Sequence, residues 1–223
     1  LNQAGYDVFT IDVTADIPAF IKTIEREKPD VLFNALHGKY GEDGCIQGLL
    51  DLMQIPYTHS GRLASALAMN KDAARKIYQL AGIPVAKGRV VGKADILAGD
   101  VLPRPYVLKP ISDGSSVGVF IFDSDTPLFT AETYPYPADA PILAEEYIPG
   151  REMTVAVLDG KPLGVLEIVP NEDFYDYHAK YTNGGASHIV PAPMPAADYE
   201  TMMALAAKAH DALGCRGVSR SDF

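Results

Sequence analysis

Basic residues and cysteines are both scarce in this chain of 223 residues. Lys and Arg number 19 against 29 Asp and Glu, so the formal net charge is −10 at neutral pH. Nonspecific nucleic-acid binding needs a basic face, and this charge argues against it. Any anionic ligand must therefore be held by a local cluster of Lys and Arg rather than by the overall field.

The two cysteines, Cys45 and Cys215, lie far apart and show no metal-ligand spacing, which fits a reduced, cytosolic setting. No apolar run approaches the length of a membrane-spanning helix, and the first residues do not resemble a signal peptide, so we expect no membrane partner. The chain opens on what reads as the end of a helix and closes on SRSDF in mid-strand. We therefore expect it to be a piece of a longer protein.

Strand and helix patterns alternate over the first third of the chain. Apolar alternation predicts a strand over residues 6–13, and Asp16 is placed to cap the helix that follows. A buried strand over 30–36, a helix over 42–53 and a short strand over 55–57 come next. Such alternation indicates the α/β class with a parallel, doubly wound sheet.

The remainder of the chain reads as two further units. Asn70 can cap a helix that runs to Leu80 and ends at Gly82, and a new region begins at about Pro84. We divide the chain into domains at 1–83, 84–150 and 151–223. The predicted elements after Leu80 are strands over 85–91 and 106–109, a strand ending at Phe122, an irregular connection over 123–140, three antiparallel strands over 142–148, 153–157 and 163–169, and a helix from Pro195 to Gly214.

Two polar segments follow strand patterns and are candidates for ligand binding. HGKYGEDGCIQG begins at His37, at a strand exit of the kind where ligands gather in doubly wound sheets. In LKPISDGSSVGV, Lys109 precedes glycines and serines that let backbone N–H groups approach a phosphate, although a hairpin turn fits as well. Lys71 lies in the first turn of a helix, where the helix N-terminus and the ammonium could bind one phosphate together. Alternatively, Lys71 is a solvated surface lysine.

Three more segments contain side chains that could bind ligands, and each also has a purely structural interpretation. ILAEEYIPGREMTV presents carboxylates that could accept from ribose or an amino group, or form a solvated edge. FYDYHAKY lies in a long loop, 171–190, which we interpret as a lid, although the loop could also pack on its own aromatics. Arg220 and Asp222 alternate on one strand face, where they could stabilise negative charge and hold Mg²⁺, or simply form an ion pair.

The order of these segments is more specific than any one of them. HGKYGEDGCIQG, LASALAMNK, VLKPISDGSSVGV, EEYIPGRE, FYDYHAKY and GCRGVSRSDF together closely resemble the D-alanine–D-alanine ligase family, over nearly the whole chain. The resemblance implies an ATP-grasp fold with an N-terminal parallel-sheet domain, α+β in its central lobe. It implies ATP-dependent ligation of two D-alanines through an acyl phosphate for peptidoglycan synthesis, with Mg²⁺ or Mn²⁺, in a cytoplasmic homodimer.

The resemblance also implies roles for single residues. His37 would orient the first D-alanine, with Glu42 and Asp43 shaping the loop beside it. Ser115 and Tyr181 would position the amino end of that substrate, Arg220 would stabilise the tetrahedral oxyanion, and Asp222 would bind the metal. The residues implied for ATP are Lys71, Lys109, Gly114, Ser115, Ser116, Val117, Glu145, Glu146, Ile148, Glu152 and Lys180.

Departures from the family pattern leave alternatives open. Family members have a Gly-rich segment with a substrate-binding glutamate upstream of the position of Leu1, and a Glu-x-Asn pair that completes the metal site downstream of Phe223. Asn70 stands where relatives often have Asp, and Glu146 where a lysine occurs in some. A ligase joining D-alanine to D-lactate or D-serine is the nearest alternative, although Tyr181 favours an amine nucleophile. A nonenzymatic nucleotide-binding protein on the same scaffold is the other.

Overall fold

The computed structural model describes residues 1–114, 117–170 and 186–223, with Pro170 described by its backbone alone. Within these residues no helix has the length and apolarity needed to cross a membrane. The helices are α1 (Ile17–Glu27), α2 (Cys45–Leu52), α3 (Arg62–Met69), α4 (Lys71–Leu80), α5 (Lys93–Ala98) and α6 (Ala196–Ala212), after a short 3-10 turn at Asn2–Ala4. The strands are β1 (Gly88–Val91), β2 (Tyr106–Pro110), β3 (Phe120–Phe122), β4 (Ile142–Glu146), β5 (Glu152–Leu158), β6 (Lys161–Pro170), β7 (Ala186–Ile189) and β8 (Val218–Asp222).

Helices α1 and α2 enclose the first hydrophobic cluster. Asp16 caps α1 as predicted, because its carboxylate accepts a hydrogen bond from the Ala19 N–H at 3.0 Å. The apolar face of α1 then buries Phe20 and Ile24, the latter against Leu50 of α2 within the same cluster. Burial of this stripe, rather than intrinsic propensity, accounts for the position of α1.

The predicted parallel sheet in this first region is reduced to a single contact. Residues 6–13 form no strand, and within the described residues the only parallel pairing is an isolated bridge between Leu32 and Tyr57. Tyr6 and Phe33 are both exposed. The strand prediction for 6–13 and most of that for 30–36 is therefore wrong, since an apolar alternation makes a strand only where a neighbouring strand accepts its backbone hydrogen bonds.

The second hydrophobic cluster belongs to an antiparallel sheet of order β1-β4-β2-β3. Tyr106 and Phe122 stack face to face on neighbouring strands, with ring centroids 5.0 Å apart. The strand predicted over 142–148 is confirmed as β4, which pairs antiparallel with β1 and with β2. Helix α5, which buries Ile96 against this sheet, was not predicted because six residues give too short a periodic pattern.

The third cluster lies between α6 and an antiparallel sheet of order β7-β6-β5-β8. The helix predicted from Pro195 to Gly214 is confirmed as α6, which buries Ala206 and Ala209. Ser219 of β8 faces α6, since its Oγ lies 2.7 Å from Nδ1 of the buried His210. Successive side chains alternate along a strand, so Arg220 and Asp222 project from the opposite face of this sheet.

Contacts around Arg216 join the third unit to the first. The Arg216 Nε donates to the His59 carbonyl at 2.9 Å, and its guanidinium lies 5.0 Å from the centre of the Tyr57 ring. The Ser60 hydroxyl and the Arg216 backbone exchange hydrogen bonds of 3.3 Å. These contacts place β8 beside the segment that follows the polar loop at His37, and each hydrophobic cluster falls inside one of the three proposed domain ranges.

Replacing Leu108 by alanine should test the second cluster. Leu108 is 0% exposed, so Leu108→Ala should lower the free energy of unfolding by about 2–5 kcal/mol. Leu80→Ala is the matched control, because that leucine is 90% exposed and should cost less than about 0.5 kcal/mol. Urea unfolding measures both, and equal losses for the two variants would contradict the packing described.

Candidate active site

Lys71 contacts the backbone at the beginning of the Gly/Ser loop that follows β2. Asn70 caps α4 as predicted, through a 3.0 Å hydrogen bond from the Ala73 N–H. The Lys71 N–H donates to the Ile111 carbonyl at 2.8 Å, and its ammonium donates to the carbonyls of Pro110, at 2.9 Å, and Asp113. The side chain is thus directed at the loop after β2, and it is not the freely solvated lysine of the alternative interpretation.

A buried carboxylate, Glu145, lies beside Lys109. Glu145 pairs with Val107 in the register of β4 and β2, so Lys109 is its diagonal neighbour on the same face of the sheet. The Lys109 ammonium forms an ion pair with Glu145 Oε2. Only 9% of the Glu145 side chain is exposed, so its charge requires such partners.

Arg75 is a second partner of Glu145 and was not predicted from the sequence. Its Nε lies 2.7 Å from Glu145 Oε1, and its terminal nitrogen donates to the Ala86 carbonyl at 2.6 Å. The signal that could have found it is its spacing, since Arg75 follows Lys71 by four residues and therefore shares one face of α4.

Arg75 and Lys109 thus flank one buried carboxylate, and Lys71 lies near enough to feel the charges of both Lys109 and Glu145. Burial and, to a smaller extent, the nearby Lys109 lower the pKa of Lys71 to about 8, against the opposing charges of Asp113 and Glu145. A bound polyphosphate would relieve this concentration of positive charge. In a chain with a net charge of −10, the cluster is a candidate for the local anion site that the composition requires.

The predicted adenine and ribose residues lie where β4 leaves the central sheet for β5. The Glu146 N–H donates to the Lys87 carbonyl at 2.8 Å, and its carboxylate accepts from the Lys87 N–H at 2.9 Å. Ile148 is exposed in the connecting turn, and Glu152 begins β5. The turn is fixed by neighbouring Arg151, which makes two hydrogen bonds of 2.6 and 2.5 Å to the buried Glu167.

Arg220 and Asp222 form the ion pair that the sequence left as an alternative. The Arg220 Nε lies 3.0 Å from Asp222 Oδ1, which also accepts from the Thr154 hydroxyl at 2.8 Å. Both side chains are largely exposed, so this pair contributes little to stability and can rearrange around a ligand.

A carboxylate such as that of Asp222 suits Mg²⁺, which commonly takes one or two carboxylates together with substrate phosphates. Among the described residues no three His, Cys, Asp or Glu side chains gather as a metal site. Asp222 therefore fits a metal that the phosphates of a nucleotide help to hold, but not a metal held by this part of the protein alone.

The polar loop at His37 is held by its own acidic residues. The Glu42 carboxylate accepts from the Gly38 N–H, and the Asp43 carboxylate accepts from the Tyr40 N–H at 2.8 Å and from the Cys45 N–H at 3.0 Å. Burial opposes ionisation of Asp43, but these hydrogen bonds prevail and its pKa lies below the usual value.

Glycine is needed in this loop because a Cβ at Gly41 would come within 2.4 Å of the Leu36 Cβ. The His37 side chain is exposed at the start of the loop. Its substrate role, and that of Glu42, stay predictions.

Four of the predicted site residues, Ser115, Ser116, Lys180 and Tyr181, lie outside the described residues. Gly114 and Val117 flank the first pair and are joined by a hydrogen bond of 3.2 Å from the Val117 N–H to the Gly114 carbonyl. Most of the predicted lid, 171–190, also lies outside, and its last described part belongs to β7. The structure therefore brings together the lysines and Glu145, but leaves the lid and its residues as predictions.

Two four-stranded antiparallel sheets, one bearing a cationic cluster and the other an Arg–Asp pair, define a mixed α/β protein of the ATP-grasp class. The D-ala D-ala ligase N-terminus model matches residues 6–60, and the D-ala D-ala ligase C-terminus model matches residues 77–223. The chain therefore belongs to the D-alanine–D-alanine ligase family.

Its relatives agree with this assignment. The D-alanine–D-alanine ligases of Paramagnetospirillum magneticum and Rhodospirillum rubrum are 53% and 52% identical over the whole chain, which spans 72% and 74% of their lengths. The Bacillus anthracis ligase complexed with ATP is 28% identical, with a TM-score of 0.78 over 100% of this chain and 72% of that one. The VanG D-Ala:D-Ser ligase from Enterococcus faecalis is 33% identical, with a TM-score of 0.69 over 86% and 59%.

Lys71 should give ATP binding a dependence on pH. Because its pKa is lowered to about 8, the free protein loses this positive charge as the pH rises through that value, and KM for ATP should rise. Lys71→Arg should remove this rise, since a guanidinium stays protonated throughout. Lys76→Arg, an exposed lysine of the same helix, is the control and should keep the wild-type profile. Measurements of ADP release across this pH range give KM for ATP in each protein. If KM for ATP rose with pH in Lys71→Arg as it does in the wild type, the result would count against the role of Lys71.

Proposed function

We propose that this chain carries the catalytic machinery for joining two D-alanines to D-alanyl-D-alanine at the expense of ATP, for peptidoglycan precursor synthesis. The observation that carries this proposal is the cluster in which Arg75 and Lys109 pair with the buried Glu145 and Lys71 lies nearby. A local excess of cations on a helix N-terminus and a neighbouring strand is suited to a nucleoside triphosphate. The family supplies the substrate, since the relatives named above are D-alanine–D-alanine ligases.

The reaction divides into two transfers. In the first, a carboxylate oxygen of one D-alanine attacks the γ-phosphorus of ATP, and ADP leaves from an acyl phosphate. In the second, the amine of the other D-alanine attacks the acyl carbon, phosphate leaves and the nitrogen loses a proton. Neither transfer needs a covalent catalyst from the protein, so positioning and charge stabilisation supply most of the rate enhancement.

The predicted site residues divide this work among the three domain ranges. Lys71 and Lys109 would neutralise the phosphates, while Glu145, Glu146, Ile148 and Glu152 would hold the adenosine. Arg220 would leave Asp222 and move to the oxyanion that forms at the acyl carbon. His37 would orient the first D-alanine from the loop shaped by Glu42. Ser115 and Tyr181 would complete that subsite.

Magnesium, or manganese in its place, would be held by Asp222 and the nucleotide phosphates. It would supply neutralisation of the negative charge that develops during phosphoryl transfer. We also propose that the protein acts in the cytoplasm as a homodimer, without nucleic-acid or membrane partners, and that 1–83, 84–150 and 151–223 are its domain ranges. The net charge of −10 supports the exclusion of nucleic acid.

A ligase that joins D-alanine to D-serine is the second candidate, because the chain is also similar to the VanG D-Ala:D-Ser ligase. The two functions differ in the second substrate alone. Incubating the full-length natural protein with ATP, Mg²⁺ and D-alanine, with D-serine or D-lactate added in parallel, separates them by the mass of the product. We expect D-alanyl-D-alanine to dominate, and a mixed product formed in preference would favour the alternative.

Lys109 should be needed for catalysis with ATP. In the full-length protein, Lys109→Met should lower kcat/KM for ATP by about 100-fold or more. The variant removes a cation that would neutralise the phosphates, and it also removes one of the two ion-pair partners of Glu145. Lys161→Met, at an exposed lysine that begins β6, should change kcat/KM for ATP by less than about twofold. D-alanine-dependent ADP release measures both. If ADP release by the wild-type protein did not depend on D-alanine, the result would contradict the proposed ligase function.

A further inference from the structure

Helix α4 touches both central strands that carry the nucleotide residues. Lys71, in its first turn, contacts the carbonyl of Pro110 at the end of β2. Arg75, one turn later, contacts Glu145 on β4. The same helix face therefore meets β2 through one cation and β4 through the other.

Arg75 is held more tightly than a surface arginine would be. Its side chain is 11% exposed, it lies 2.7 Å from Glu145, and it donates to the Ala86 carbonyl at 2.6 Å just before β1. Asp72 lies 4.0 Å away on the same helix but is engaged by Lys76 at 2.7 Å, which leaves Glu145 as the closest anion to Arg75. The guanidinium thus has one orientation, fixed from two sides.

This orientation divides the Glu145 carboxylate between two cations. Oε1 faces Arg75 and Oε2 faces Lys109. Without Arg75 both oxygens could turn to Lys109, and the lysine would follow the carboxylate away from its place near Lys71. The repulsion between the two lysines, already evident in the pKa of Lys71, favours such a separation.

We propose that Arg75 is a positioning residue for the nucleotide site: it fixes the Glu145 carboxylate, and through it the Lys109 ammonium, in the arrangement that binds ATP. Arg75 itself need not contact the nucleotide. The proposal rests on the proposed ligase function, because it assigns Arg75 a part in that site. The proposal predicts that Arg75 affects the affinity for ATP only through its contact with Glu145.

A purely structural arginine provides the matched control. Arg104 of the same unit pairs with Asp100 at 2.8 Å and donates to the carbonyl of Thr126 at 2.6 Å, and no contact joins it to a nucleotide residue within the described part of the chain. In the full-length protein, Arg75→Met and Arg104→Met should both lower Tm. Arg75→Met alone should raise KM for ATP, by about tenfold. Its kcat and its KM for D-alanine should stay within about threefold of wild type.

The conservative variant separates orientation from charge. Arg75→Lys keeps the charge, but one ammonium lacks the fork that lets a guanidinium meet Glu145 and the Ala86 carbonyl together. Its KM for ATP should lie between the wild-type value and that of Arg75→Met. If Arg75→Met fails to fold, Arg75→Lys still tests the proposal, and a wild-type KM for ATP would then overturn it.

A double-mutant cycle tests whether the effect passes through Glu145. In a Glu145→Gln background, Arg75→Met should raise KM for ATP by less than about twofold, because the carboxylate that it positions is gone. A full tenfold increase in that background would overturn the proposal. So would equal KM changes in Arg75→Met and Arg104→Met. Wild-type activity in the same assay shows whether the ligase function itself holds, so the two failures are distinguishable.

Discussion

The ion pairs of the Glu145 carboxylate are the interaction on which the rest of the site depends. A carboxylate with 9% of its side chain exposed is costly unless it is paired, and here it has Arg75 on one oxygen and Lys109 on the other. Its value lies in the arrangement that it imposes. The buried carboxylate, held by Arg75, keeps the Lys109 ammonium near Lys71 although the two lysines repel each other, and a polyphosphate can then meet both lysines at once.

The same interaction ties the units of the protein together. Helix α4 reaches the central sheet through Lys71 and Arg75, while Arg216 joins the third sheet to the carbonyl of His59 in the first unit. The substrate loop, the nucleotide strands and β8 are thus linked by polar contacts at their edges, rather than by one shared hydrophobic core. A site assembled in this way can bind ligands of different chemistry, since each unit brings its own residues.

Much of this arrangement could be predicted from local sequence, and the remainder could not for physical reasons. The caps at Asp16 and Asn70 and the helix α6 were predicted correctly because each depends on residues within a few positions of one another. The strand over 6–13 and most of the strand over 30–36 were wrong because strand formation depends on a distant neighbour.

The candidate site shows the same division. The ligase family, its fold and its function were recognised from the order of the segments, and the family models confirm that recognition. Arg75 was missed, because its importance arises from Glu145, seventy residues later, and its four-residue spacing from Lys71 does not by itself identify that partner. The most direct measurement is the dissociation constant of a non-hydrolysable ATP analogue for wild-type protein and Glu145→Gln by calorimetry. If Glu145 organises the cations, the variant should bind about tenfold more weakly despite its extra positive charge. Equal or tighter binding would mean that Glu145 merely reduces the attraction for phosphate, and would contradict the account.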